Sequence, residues 1–212
     1  AAMIAGYPNY YAYSAHDVEM FRKTCEGAPD ADPDRYPNSN GLRDLIRSNS
    51  VMTNHNVQLS GGSDRFRYYV SLGYAYQEGM WSSTNYQRAN LQANLSIDAT
   101  KYTNVTLNLG GWHEKSVFPG VSAGTIMYQA YRTPPVSAIY YSNGLWGQYV
   151  GHSLIGEAYH SGYNHQPADQ LNTSLSITQQ LPFIEGLSIQ GVVNYDPYRW
   201  KKKNYMTPVP VY

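Results

Sequence analysis

The chain has almost no cysteine, little charge and no long apolar run, and each shortage removes a class of answers. Cys25 is the only cysteine among 212 residues, so no internal disulfide and no thiolate metal cluster can form. Charged residues make up 14% of the chain, and 15 Lys and Arg balance 15 Asp and Glu to a formal net charge of +0. That balance gives no electrostatic footprint for nucleic acid. No apolar stretch approaches the roughly 20 residues of a transmembrane helix. Strands that cross a membrane show only alternation, so this shortage does not touch them.

Recognisable chemistry is scarce too. There is no G-x-S-x-G elbow, and no close carboxylate pair stands out in the expected strands, which speaks against nucleophilic and glycosidic catalysis. His16, His55, His113, His152, His160 and His165 have no compact spacing with one another or with Cys25, so no metal site is expected. Asp30, Asp32 and Asp34 form a D-x-D-x-D ladder, but an EF-hand needs Gly and Glu where Arg35 and Gly41 stand. A structural turn is the simpler reading. Gly61-Gly62 is too short for a phosphate loop and fits a hairpin. No catalytic residue, metal or cofactor is expected, and the chain is read as a non-enzyme.

What is present is tyrosine and uncharged polarity. There are 22 Tyr against 4 Phe and 4 Trp, and the mean hydropathy is negative although charge is low. A ring with a polar tip suits a boundary with one apolar and one wet side.

The most informative stretch runs from Asn54 to Ile97. Phe66, Tyr68, Val70, Leu72, Tyr74 and Tyr76 alternate with Arg67, Tyr69, Ser71, Gly73 and Ala75, the period of a strand with two unlike faces. Such a strand is roughly 36 Å long, and tilted by about 45° it rises about 25 Å, the height of an outer-membrane apolar band. Leu91, Leu95 and Ile97 head the apolar row of the next strand, and Val105, Leu107 and Leu109 that of the one after. Leu171 to Ile177 and Leu187 to Tyr195 alternate likewise. Short turns at Gly61, Thr100 and Leu181 alternate with longer connections, the plan of an outer-membrane barrel. The expected organisation is a loop region with short helices over 1–54, strands over 55–112, a long loop over 113–169 and strands over 170–212. Within it, helices are expected at His16 to Thr24 capped by Ser14, at Leu42 to Arg47, and at Ser122 to Tyr131 before Pro134. About six such strands cannot close, so the fold class is an all-β, antiparallel segment of a larger transmembrane barrel.

Four ordered motifs carry a resemblance. Asn54 to Gly79 (NHNVQLSGGSDRFRYYVSLGYAYQEG), Asp32 to Asn38 (DPDRYPN), Tyr86 to Leu91 (YQRANL) and Leu181 to Leu187 (LPFIEGL) resemble the SusC/RagA-type TonB-dependent outer-membrane transporters of Bacteroidetes. The chain departs from the family's usual Asp-Trp with Asn40-Gly41. The resemblance implies part of a 22-stranded barrel in the outer membrane with extracellular loops. It further implies glycan or peptide uptake: an oligosaccharide or oligopeptide imported with a SusD-like surface lipoprotein and driven by TonB through a plug that these residues do not include. No signal peptide is visible in Ala1 to Gly6, so an exported barrel requires that residue 1 is not the start of the gene product.

On this reading Phe66, Val70, Leu72, Leu91, Leu95 and Ile97 face membrane lipid, while Arg67, Arg88, Asn90, Gln92 and Asn108 line the lumen. Trp81, Tyr140, Tyr141, Trp146, Tyr149, Tyr159 and Tyr163 are the loop aromatics able to stack on a solute or partner; packing of the loops on themselves is the plainer role. Lys201-Lys202-Lys203 suits either a solvated strand end or contact with acidic headgroups. A different class, a soluble or surface-attached β-rich carbohydrate-binding module, accounts equally well for the tyrosines.

Overall fold

The computed structural model describes residues 13–210. The first twelve positions of the expected N-terminal loop region, and the last two of the expected final strands, lie outside them. The strands are β1 (Met52–Ser63), β2 (Phe66–Glu78), β3 (Asn85–Asp98), β4 (Thr103–Pro119), β5 (Gly162–Gln180), β6 (Ser188–Tyr195), β7 (Tyr198–Trp200) and β8 (Lys203–Met206). They form one antiparallel sheet in the order β1-β2-β3-β4-β5-β6, with β7 and β8 also pairing with β5. Thr173↔Tyr195, Asp169↔Arg199 and His165↔Lys203 follow one unbroken register. The last three segments are therefore one long strand interrupted at Pro197 and at Lys201-Lys202.

Alternation along β2 propagates across the sheet by register. Leu72 faces Val57 on one side and Leu91 on the other; Leu95 faces Leu107, which faces Leu175, which faces Val193. All the apolar rows consequently share one face, and Asn, Gln, Ser and Thr share the other. Among the described residues nothing covers the apolar face: Val57, Leu59, Leu72, Ile189 and Val193 are all more than half exposed.

The hydrophobic core lies elsewhere, in the connections. Of the helices α1 (Ala15–Glu26), α2 (Gly41–Leu45), α3 (Ala123–Arg132) and α4 (Leu154–His160), α1 rests on the loop that follows it through Tyr36, while the last three pack together. There Leu45, Trp81, Ile126, Ala130, Ile139, Leu154, Ile155 and Ala158 form one buried cluster. Ser14 caps α1 in a reciprocal box with Asp17, and Gly27 closes it at φ 70°, a conformation only glycine adopts without strain. Ser122 caps α3, which ends at Arg132 ahead of Pro134.

The structure corrects several expected boundaries. The loop expected over 113–169 spans 120–161, because β4 continues to Pro119 and β5 starts at Gly162. Tyr163 is thus a strand residue. The turn expected over Gly61 to Arg65 narrows to Asp64-Arg65, with both glycines inside β1. A Cβ at Gly61 would sit 2.7 Å from the Tyr68 hydroxyl and one at Gly62 2.3 Å from the Phe66 carbonyl oxygen, so these positions serve close approach rather than chain reversal.

Candidate solute-facing wall and loop cap

The polar face is the hollow one. A depression of about 590 Å³ is lined by Asn56, Ser71, Asn90, Asn94, Asn108, Asn172 and Asn194 among others. Uncharged amides offer donors and acceptors in equal measure, which suits hydrated surfaces and neutral polar solutes. Gly73 and Gly110 keep its floor low, and a Cβ at Gly73 would meet the Asn56 side chain at 2.7 Å.

Toward the loop end the wall changes character. Register sets Asn90, Trp112, Gln170 and Tyr198 on one rung and Arg88, Glu114, Ala168 and Trp200 on the next. The Arg88 guanidinium lies 4.8 Å from the Trp112 ring centroid and 3.8 Å from the Glu114 carboxylate, while its Nε donates to Asn90 Oδ1 at 2.8 Å. Tyr86 donates to Glu114 Oε2 at 2.8 Å, and Trp112 approaches Tyr198 at 6.2 Å between centroids. Arg88 is therefore held over the Trp112 indole with Glu114 and Asn90 beside it, and Tyr198 and Trp200 remain more than half exposed. A planar aromatic and cationic shelf above an amide-lined hollow can stack a ring and hydrogen-bond its substituents.

Sequence reasoning put Arg88, Asn90, Gln92 and Asn108 on this face, as found. It missed Tyr86, Trp112, Glu114, Tyr198 and Trp200. The available signal was parity: Trp112 continues the row of Thr106 and Asn108 and not that of Leu107.

The loop aromatics do not form one site. Trp81 is 2% exposed in the cap core, a correction to its reading as a contact residue: its indole fills space between helices. Trp146 stacks on His160 at 4.3 Å and donates from Nε1 to the Pro210 carbonyl. Tyr149 lies 5.7 Å from the Arg132 guanidinium. Tyr141 and Tyr159 are half-buried, and Tyr140 is exposed. Tyr163 stacks on His165 at 4.4 Å, on the apolar side of the sheet.

The aspartate ladder divides among three partners. Asp30 pairs with Lys23 at 2.5 Å, which holds its carboxyl below the usual carboxylate range. Asp32 accepts from the Arg35 N–H. Asp34 accepts from both the N–H and the hydroxyl of Ser142 at 2.6 Å, pinning the N-terminal loop to the β4–β5 loop. Among the described residues no three His, Cys, Asp or Glu side chains converge as metal ligands would.

No protein-family model matches the chain. It is similar to TonB-dependent receptor P3 of Formosa agariphila, with 29% identity over 117 residues, covering 52% of this chain and 12% of that receptor. Its fold is shared with the solved RagAB peptide transporter at a TM-score of 0.64 and 19% identity, over 87% of this chain and 22% of that one. The chain thus spans less than a quarter of either protein. The all-antiparallel sheet with its helix-bearing loops is a TonB-dependent transporter-like fold. The receptor similarity and the shared fold agree with the resemblance that the four ordered motifs carry.

Proposed function

We propose that this chain forms an arc of the barrel wall, with its extracellular loops, of an outer-membrane transporter that imports an oligosaccharide or oligopeptide. Uptake works together with a SusD-like lipoprotein over the loops and with TonB acting through parts of the protein outside these residues. One observation carries the reading: among the described residues the sheet has a continuous apolar face without cover, while its opposite face is hollow and amide-lined. Water penalises exposed apolar surface by roughly 25 cal/mol per Å², and a face this large is tolerable only against lipid or a partner. The same face disfavours a soluble carbohydrate-binding module, which needs a second layer over those residues. The wall binds and passes solute, and its residues make or break no bond.

Mass spectrometry of the native outer-membrane fraction tests this. The expected result is that these residues occur within a polypeptide several times 23.9 kDa, together with a co-purifying lipoprotein. A soluble product of 23.9 kDa would overturn it and send the hollow to sugar-array binding instead.

A further inference from the structure

The apolar face changes chemistry at one level. Below the rung formed by Tyr74, Ala89, His113, Asp169 and Arg199, the outward positions are Val, Leu, Ile, Phe and Ala with a few Tyr, Thr and Gly, and Ser63 and Gln179 stand at the far end. Above it, on the same face, stand Lys115 opposite Pro167 and His165 opposite Lys203, with Lys201 between Arg199 and Lys203 and its N–H bonded to the Pro167 carbonyl. Arg199, Lys201 and Lys203 therefore project to one side at every second residue.

One carboxylate, Asp169, serves this cluster, and it is already engaged. His113 Nδ1 lies 2.6 Å from its Oδ1, while Arg199 donates to Oδ2 through Nε at 3.1 Å and a terminal nitrogen at 2.9 Å. Glu78, further round the same face, pairs with Arg47 at 3.0 Å. Among the described residues no carboxylate lies within ion-pairing distance of Lys115, Lys201 or Lys203. Lys203 instead lies 5.6 Å from the Tyr163 ring centroid, and Tyr163 contacts Tyr205 at 5.5 Å. Cations crowded on a common face repel one another unless a counter-charge arrives.

Resting on the barrel reading above, we propose that Lys115, Lys201 and Lys203, framed by Tyr163 and Tyr205, bind the phosphate-bearing headgroup of an outer-leaflet lipid. The position selects the occupant. The patch continues the lipid-facing rows and begins where they end, the level at which headgroups replace acyl chains, and tyrosines favour that level. Lys115 is separated from Lys201 and Lys203 by one intervening strand, about 10 Å at ordinary strand spacing, so a single headgroup can span the gap. Basic pockets at this depth recognise anionic headgroups by the same charge pairing.

The test uses the full-length transporter containing this segment, extracted from its own outer membrane in mild detergent. Lipid phosphorus per protein is measured for the wild type, the double variant Lys115→Gln/Lys203→Gln, and the control Lys101→Gln, which changes the exposed β3–β4 turn. Retained lipid phosphorus should fall about fivefold for each lysine removed, the effect of one cation near an anionic lipid surface, and should be unchanged in the control. Equal retention in wild type and double variant overturns the proposal. Displacement of the signal by millimolar inorganic phosphate also overturns it, since the patch would then be a site for free anions. Recovery of each protein in the outer-membrane fraction separates the two readings. A wild type absent from that fraction sinks the barrel and the lipid site together, whereas a correctly inserted protein with unchanged phosphorus sinks only the lipid site.

Discussion

The sheet and the loop cap solve opposite problems with similar residues. In the cap, Ile126 and Ala158 are fully buried and the cluster around them draws on four separate stretches of chain, so its stability comes from excluding water. In the sheet, leucines and valines of the same kind stay exposed on one face, and order comes from ladder hydrogen bonds and cross-strand pairs between β1 and β8. An apolar residue therefore says little about burial until its period is read. At helical or irregular spacing beside Pro and Gly it fills the cap, and at strict alternation it meets whatever lies outside the sheet.

On the proposed barrel reading, the largest effect belongs to the apolar face of the sheet. Leu72→Arg or Leu95→Arg is expected to cost about 2 to 4 kcal/mol near the bilayer midplane and to lower recovery in the outer-membrane fraction. Unchanged assembly in both variants would contradict the division drawn here. In the cap, Ile126→Ala should cost a similar 2 to 5 kcal/mol, about the range for emptying a packed site. Its effect should appear as faster amide exchange over α2, α3 and α4 with sheet protection intact; loss of sheet protection as well would mean that cap and sheet unfold together. Trp112→Ala on the hollow face touches neither lipid nor cap core. Assembly should change by less than about 0.5 to 1 kcal/mol while solute uptake falls, and full uptake would remove the aromatic shelf from the proposed pathway.

The smallest effect is a pH dependence at the cap's edge. Hydrogen bonds from the Ser14 hydroxyl and N–H, then from Tyr36, hold the Asp17 carboxyl below its ordinary value of 3.8. A carboxylate lowered in the folded state adds stability that is present above 3.8 and is lost as the pH falls through the lowered value. Helix α1 should therefore fray only in acid, and Asp17→Asn should flatten that dependence in amide exchange. Fraying that sets in near neutrality would assign the switch to another group.

Much of the sheet was legible because its two faces meet different surroundings, so phase is written into every second residue from Phe66 to Tyr76 and from Leu91 to Ile97. Legibility stops where the contrast stops. Beyond His113 and Asp169 polar and apolar residues are mixed on both faces, as in Glu114 to Pro119 and Tyr163 to Ala168, and β4 and β5 run on through positions that look like loop. Tyr198 to Met206 falls within the strands expected over 170–212, but Pro197 and the lysine run resemble breaks, so the continuous register with β5 was not legible there. Helices α1 and α3 announced themselves by Ser caps and by Gly27 or Pro134. Helix α4 has only 7 residues with Gly156 inside, too short for a helical period to emerge. Trp81 misled because residue type was weighed without its depth: an indole in a loop can be an anchor for a ligand or for the loop itself, and only packing distinguishes them. Trp112 went unnoticed for the converse reason, since a tryptophan inside a strand reads as structural until its side of the sheet is known.

The common core of the cap has a mechanical corollary. Leu45 precedes β1, Trp81 joins β2 to β3, and Ile126, Ile139 and Leu154 belong to the β4–β5 connection. Ser83 adds a hydroxyl bond to the Ala158 carbonyl at 2.6 Å, and Asp34 grips Ser142. Three connections are thus tied to one another through a shared core, so this end of the sheet carries one packed plate and not a fringe of independent fingers. A push on the segment before β1 is delivered to the plate as a whole, and the ordering entropy of three loops has already been spent before any visitor arrives.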